Sequence, residues 1–151
     1  MSVPLVELTA DHVVGLNRTA IAQAHTWDKN CQQKHLVRNL SGLQGCLGGI
    51  FYQLSGKGYL HLPMEKMAGL LLYRIAQGQF FLDGNKRTAL LSTVMFLKNN
   101  GHGLRVDRNT VNDLMWGFAP SHDDPIKPAK YKEEDSIQYI FDNILPPTNH
   151  P

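Results

Sequence analysis

Apolar residues recur along the chain at helical rather than strand spacing. Val13, Leu16, Ala20, Ala24 and Trp27 predict a first helix that begins near Thr9 or Asp11, either of which can cap it. Residues 28–39 (DKNCQQKHLVRN) turn polar and predict a loop. A second helix opens at Ser41, where Ser41-Gly42-Leu43-Gln44 has the form of a capping box, and carries the stripe Leu43, Leu47, Ile50, Phe51 and Leu54. Gly45, Gly48 and Gly49 each cost that helix roughly 0.5–1 kcal/mol relative to Ala, so close approach by another helix is expected there. Segment 55–61 (SGKGYLH) is either a short hairpin or an irregular loop.

Pro63 suits the first position of a third helix through Met67, Leu70, Leu71, Arg74 and Ile75, with Gly78 as its left-handed cap. After a short connection, a fourth helix over about 86–100 holds Ala89, Leu90, Leu91, Val94, Met95, Phe96 and Leu97. It is apolar nearly all round and is expected at the centre of the core. Thr110-Val111-Asn112-Asp113 caps a fifth, short helix with Val111, Leu114, Met115 and Phe118. Pro120, Pro125 and Pro128 mark a surface loop over about 119–132. A C-terminal helix over about 134–145 follows on Ile137, Ile140, Phe141 and Ile144, ended by Pro146-Pro147. No stretch keeps a period of two, and no internal repeat is present. The expected fold is all-α, a compact bundle in one domain over 1–151, with at most one hairpin flap near 55–62. Trp27, Phe51, Phe81 and Trp116 are expected in its core.

Composition narrows the partners. Apolar residues make up 42% and charged ones 19%, which favours a packed globule over disorder. A net charge of +2, spread along the chain, argues against a long nucleic acid as ligand. No apolar run approaches the ~20 residues of a membrane span, and the opening MSVPLVEL lacks the features of a signal peptide. Cys31 and Cys46 have no soft ligands at zinc spacing, so free thiols and a cytoplasmic location are expected.

The chemistry concentrates in Asp83-Gly84-Asn85-Lys86-Arg87-Thr88. A loop ending in Gly-Asn that opens into a buried helix leaves backbone N–H groups pointing outward, where they and the helix dipole attract anions. Gly84 lets a phosphate approach the backbone. Lys86 adds a point charge, Arg87 a bidentate fork, and Asp83 a carboxylate suited to Mg²⁺ bridging phosphate oxygens. The same residues also make an ordinary turn with two solvated cations. Two cations at the positive end of a helix are disfavoured by a few tenths of a kcal/mol, which a bound anion offsets.

Segment 78–90 resembles the active-site motif of the Fic/Doc family, His-x-Phe-x-(Asp/Asn/Glu)-(Gly/Ala)-Asn-(Gly/Lys)-Arg, written here as Gln79-Phe80-Phe81-Leu82-Asp83-Gly84-Asn85-Lys86-Arg87. Lys86, and Leu90 in place of a second Arg, bring it closer to the Doc (death-on-curing) toxin branch. The segment Asn39-Leu40-Ser41-Gly42-Leu43, with the helix after it, resembles a further family element, as does the closing helix. The resemblance implies a nucleotide-dependent transferase acting on a protein hydroxyl, by AMP transfer or as a kinase. It also implies Mg²⁺ with ATP or another nucleotide, held by Asp83 for the metal and by Gly84, Asn85, Lys86 and Arg87 for the phosphates. A small antitoxin and a translation-factor target are implied as partners, and a target-aligning flap near Lys57–His61.

Gln79 stands where the family has its catalytic His. An imidazole can take the proton of an attacking hydroxyl, whereas a carboxamide has no basic nitrogen. Losing a general base costs about 10²–10⁴-fold, so nucleotide binding with little transfer is expected. Three readings fit Gln79: a deliberate inactivation of a toxin, a non-catalytic scaffold that binds a nucleotide or protein partner, or altered chemistry in which the amide orients the acceptor. Neither His61 nor His102 has a spacing that brings it to position 79.

Overall fold

A computed structural model describes residues 5–55, 58–60, 62–119, 126 and 128–147. The order is α1 (Ala10–Trp27), α2 (Leu40–Phe51), β1 (Gln53–Ser55), β2 (Gly58–Leu60), α3 (Met64–Gly78), α4 (Asn85–Asn99), β3 (Gly103–Leu104), α5 (Arg108–Trp116), α6 (Glu133–Asn143) and β4 (Ile144–Leu145). The fold is the expected mainly helical one. Residues 55–62 take the hairpin alternative as far as they are described, with Gln53 opposite Leu60 and Ser55 opposite Gly58. Lys57 and His61 of the expected flap, and 120–125 and 127 of the expected surface loop, lie outside the described residues.

Helix starts follow their caps. Thr9 begins α1, its side chain accepting from His12 N–H while the His12 ring accepts from Thr9 N–H. The sequence places the next cap at Ser41, but Asn39 Oδ1 accepts from Gly42 N–H at 2.9 Å and starts α2 two residues earlier. Asp107 likewise displaces Thr110 as the cap of α5, and Pro63 stands at the cap of α3 rather than inside it. Leu54 falls in β1, beyond α2. The C-terminal helix spans 133–143, and Ile144-Leu145 leave it to pair antiparallel with Gly103-Leu104. Two-residue strands like these carry no readable period.

The core is built on α3, which packs against α2, α4 and α6, and on α4, which also packs against α1. Leu71, Leu72 and Ile75 of α3, Leu43 and Ile50 of α2, Phe96 and Leu97 of α4 and Ile140 of α6 are fully buried. The buried face of α4 is more polar than its composition suggests. It presents Asn85, Thr88, Ala89, Ser92 and Thr93 before Phe96 and Leu97, while Leu90, Leu91, Val94 and Met95 are half-buried. Small side chains on this face let α3 and α1 approach the motif end of α4.

Of the three α2 glycines expected to face another helix, only Gly49 does: a Cβ there meets Arg74 Nη1 of α3 at an ordinary 3.7 Å. A Cβ at Gly45 or Gly48 meets nothing within 4 Å. The close approach is instead at Gly69 of α3, where a Cβ would lie 2.5 Å from Ile137 Cα of α6, beside the bond from buried Ser136 Oγ to Gly69 O (2.7 Å). Backbone cannot give way as a side-chain tip does. Gly69→Ala is therefore expected to lower stability by about 1–3 kcal/mol, whereas Gly45→Ala raises it by about 0.5–1 kcal/mol. Urea unfolding of the two variants checks both signs, and equal midpoints would refute this account of the α3–α6 contact.

Trp27 and Trp116 are not core residues. They end α1 and α5 and are 62% and 61% exposed, whereas Phe51 and Phe81 are buried as expected. Cys31 and Cys46 are both free thiols. No helix among the described residues is long and apolar enough to cross a membrane.

Candidate functional site

The connection between α3 and α4 is held from three sides. Gly78 ends α3 but is not its left-handed residue: that is Gln79, at φ 52° and ψ 41°, the one non-glycine with positive φ among the described residues. A Cβ at Gly78 would run into the Phe80 ring, so the glycine serves close packing instead. Phe80 and Phe81 then turn into the core. Residues 36–39 run antiparallel beside them, with Leu82 N–H donating to Leu36 O (2.9 Å), Arg38 N–H to Phe80 O (2.8 Å) and a bridge between Val37 and Phe81. The expected polar loop is thus irregular but docked on the motif.

Asn85 closes the turn from inside. Its Oδ1 accepts from Phe81 N–H (3.1 Å), and its Nδ2 donates to Phe81 O (2.9 Å) and lies 3.5 Å from Gln79 Oε1. Asn85 is thus a clamp on the loop that carries position 79, beyond the phosphate role drawn from the sequence. Gly84, at φ 77°, starts α4 without a side-chain cap, and a Cβ there would meet Ile21 Cδ1 at 3.0 Å and Asn17 Nδ2 at 3.3 Å. Its conformation and its surroundings both exclude a side chain.

Asn17, fully buried on α1, is absent from the sequence reading, and it joins the motif loop, the first turn of α4 and the segment before α2. Its Nδ2 donates to Asp83 O (2.9 Å) and to Thr88 Oγ1 (3.0 Å), and its Oδ1 lies 2.6 Å from His35 Nδ1. Since Oδ1 can only accept, His35 Nδ1 carries the proton in this contact. Burial, and secondarily the positive charge of Arg18, holds the His35 imidazole below its ordinary range. The readable signal was a polar residue in the buried stripe of Val13, Ala20 and Ala24.

The motif's charged groups take separate directions. Asp83 Oδ2 accepts from Lys34 N–H at 2.9 Å, leaving Oδ1 for another partner. Lys86 Nζ sits 4.3 Å from the centroid of the Trp116 ring. Arg87 reaches the other way, its Cζ 5.0 Å from the Trp27 ring and its Nη1 donating to Ala20 O (3.2 Å). Arg108 shares Trp27 at 5.9 Å. Asp83, Gly84 and Asn85 therefore form one tight unit, and the two cations flank it on opposite aromatic supports. His102 Nδ1 lies 3.2 Å from Leu145 O, and no interaction ties it to Gln79.

Among the described residues no three His, Cys, Asp or Glu side chains gather into a metal cage. One carboxylate with a free oxygen suits Mg²⁺, which is commonly held by one or two carboxylates, substrate phosphates and water. Asp83 would hold such an ion, and its chemistry there would be to neutralise phosphate charge.

A family model described as Fic/DOC family matches residues 7–97, from ahead of α1 to the buried end of α4. The chain belongs to the Fic/DOC family, and its fold is that of a transferase family associated with AMP transfer to proteins. No curated protein matches it.

Proposed function

We propose that the chain is a Doc-like, cytoplasmic transferase scaffold that binds a nucleotide with Mg²⁺ at the N-terminus of α4 and, with Gln79 in place of a general base, transfers to a protein hydroxyl slowly or not at all. The observation that carries this is the first turn of α4. It opens on left-handed Gly84 with no side-chain cap, has Lys86 and Arg87 on its flanks, and has Asp83 fixed beside it by Asn17 and Lys34. Outward N–H groups without a cap are the donors a phosphate uses. Lys86 and Arg87 supply charge, Asp83 supplies the metal ligand, and Asn85 keeps the loop closed.

The Doc branch follows from Lys86 and Leu90, and with it come a small antitoxin as partner and a translation factor as acceptor. The transferred group is a phosphoryl or an AMP unit. Calorimetric titration of the chain with nucleotide and Mg²⁺ tests the binding half of this reading. Saturable binding is expected, and Lys86→Ala is expected to weaken it about 10- to 100-fold, the worth of one charge-assisted contact. Absence of binding by any nucleotide or by inorganic phosphate would overturn the reading.

A further inference from the structure

Gly48 of α2 faces no helix, and the space it leaves is not used by the motif. It lines a cavity of about 330 Å³ between α2 and the chain entering α1, and a Cβ there would meet nothing within 4 Å. None of residues 79–87 borders this cavity. A glycine inside a helix weakens it, and at Gly48 no close contact explains one. What the missing side chain provides is room. Buried Leu8, Leu47 and Phe51 form the floor, and the volume lies at the lower end for small-molecule sites.

The rim is acidic. Glu7, half-buried, and Asp11 both line it, and no described Lys, Arg or His does. Among the described residues the ion pairs are Arg74–Glu133 and Lys130–Asp113, so neither rim carboxylate is paired with a cation there. Tyr52 OH donates to Glu7 Oε2 and holds that carboxylate at the rim. The last turn of α2 adds the negative end of its helix dipole, and it has no basic residue to offset this. The positive end of α1 also borders the cavity, but the Thr9 cap and Asp11 in the first turn already answer it. An apolar floor below two carboxylates and a helix C-terminus is complementary to a cation that carries an apolar body. An anion is repelled, a bare metal cation has no use for the floor, and a neutral hydrophobe leaves the carboxylates unmatched. We infer that this cavity is a second site, apart from the motif, that binds a small organic amine. The ammonium group sits at Glu7 and Asp11, and the apolar body lies on Leu8, Leu47 and Phe51 in the space beside Gly48.

Amide NMR titration of the full chain with phenylbutylamine, phenylbutanol and phenylbutyrate, which share an apolar body and differ in charge, tests the assignment. Phenylbutylamine is expected to bind saturably and to shift the amides of residues 7–11 and 44–52. It should bind about 10-fold more tightly than the alcohol, the low end for a hydrogen bond to a charged group, and the carboxylate should bind more weakly than either. Glu7→Gln can still accept from Tyr52 OH, so it is expected to abolish the preference for amine over alcohol and leave alcohol binding unchanged. Gly48→Leu fills the space and should weaken amine and alcohol alike by about 10-fold or more, the worth of one buried apolar side chain. A urea midpoint no lower than that of the parent chain checks that this variant folds; should it not fold, the Glu7→Gln comparison decides alone. Absence of amine binding, shifts confined to other residues, or a preference that survives Glu7→Gln overturns the amine site. None of these results bears on the phosphate site, whose own titration uses nucleotide and Mg²⁺.

Discussion

Gln79→His is expected to raise nucleotide-dependent labelling of a lysate protein about 10²- to 10⁴-fold and to make expression toxic. The backbone is already prepared for it. Position 79 holds the left-handed conformation, in which His is several-fold enriched among non-glycine residues, so the ring is accommodated without rebuilding the turn. The side chain is exposed at the mouth of the loop, next to the Asn85 clamp, and an imidazole there could accept a hydroxyl proton near neutral pH. The amide of Gln79 can orient a donor but cannot take its proton. Purified Gln79→His protein, incubated in lysate with radiolabelled nucleotides and Mg²⁺, gives the direct measurement. Labelling would assign the chain to the transferases with only its base missing. Nucleotide binding without labelling, in a variant harmless to cells, would reject the transferase reading in favour of a non-catalytic binding scaffold.

The motif is legible because it is local: nine consecutive residues, with Gly84 set apart by its positive φ and Asn85 bonded to nearby Phe81. Position 79 shows where local reasoning stops. Propensity assigns the left-handed residue to Gly78, but the Phe80 ring fills the space beside Gly78, and the helix runs one residue further so that Gln79 takes the positive φ. The tryptophans depart from the expected core for a related reason. Each is the last residue of a helix, where side-chain periodicity still points inward but the bundle has ended, and each finds a motif cation rather than the core. Gly45 and Gly48 of α2 show the reverse error. Small residues predict contact only if a partner lies opposite, and the partner of that kind, Ile137, lies opposite Gly69 instead.

Asn17→Ala is expected to lower stability by about 3 kcal/mol and to loosen the site at the same time. The side chain is fully buried and uses both of its N–H bonds, to Asp83 O and to Thr88 Oγ1, while its oxygen meets His35 Nδ1. Truncation strands three polar groups. Thr88 is fully buried, so its hydroxyl loses a partner that water does not replace, and each such loss costs about 1–3 kcal/mol. Asp83 and His35 are half-buried and recover part of theirs from solvent. Asn17→Asp keeps the shape but has no proton to give, and it faces a carbonyl oxygen with a carboxylate, so its cost should be at least as great. Thr88→Val removes only one of the contacts. Because Asn17 and Thr88 share that bond, the double variant Asn17→Ala/Thr88→Val should lose less than the two single losses added together. Urea midpoints at constant slope give all four values. A loss below about 1 kcal/mol for Asn17→Ala, or strict additivity with Thr88→Val, would show that the site is held by the 36–39 pairing alone. The predicted result instead makes one buried amide on α1 the link through which the fold's core sets the position of Asp83 and the start of α4.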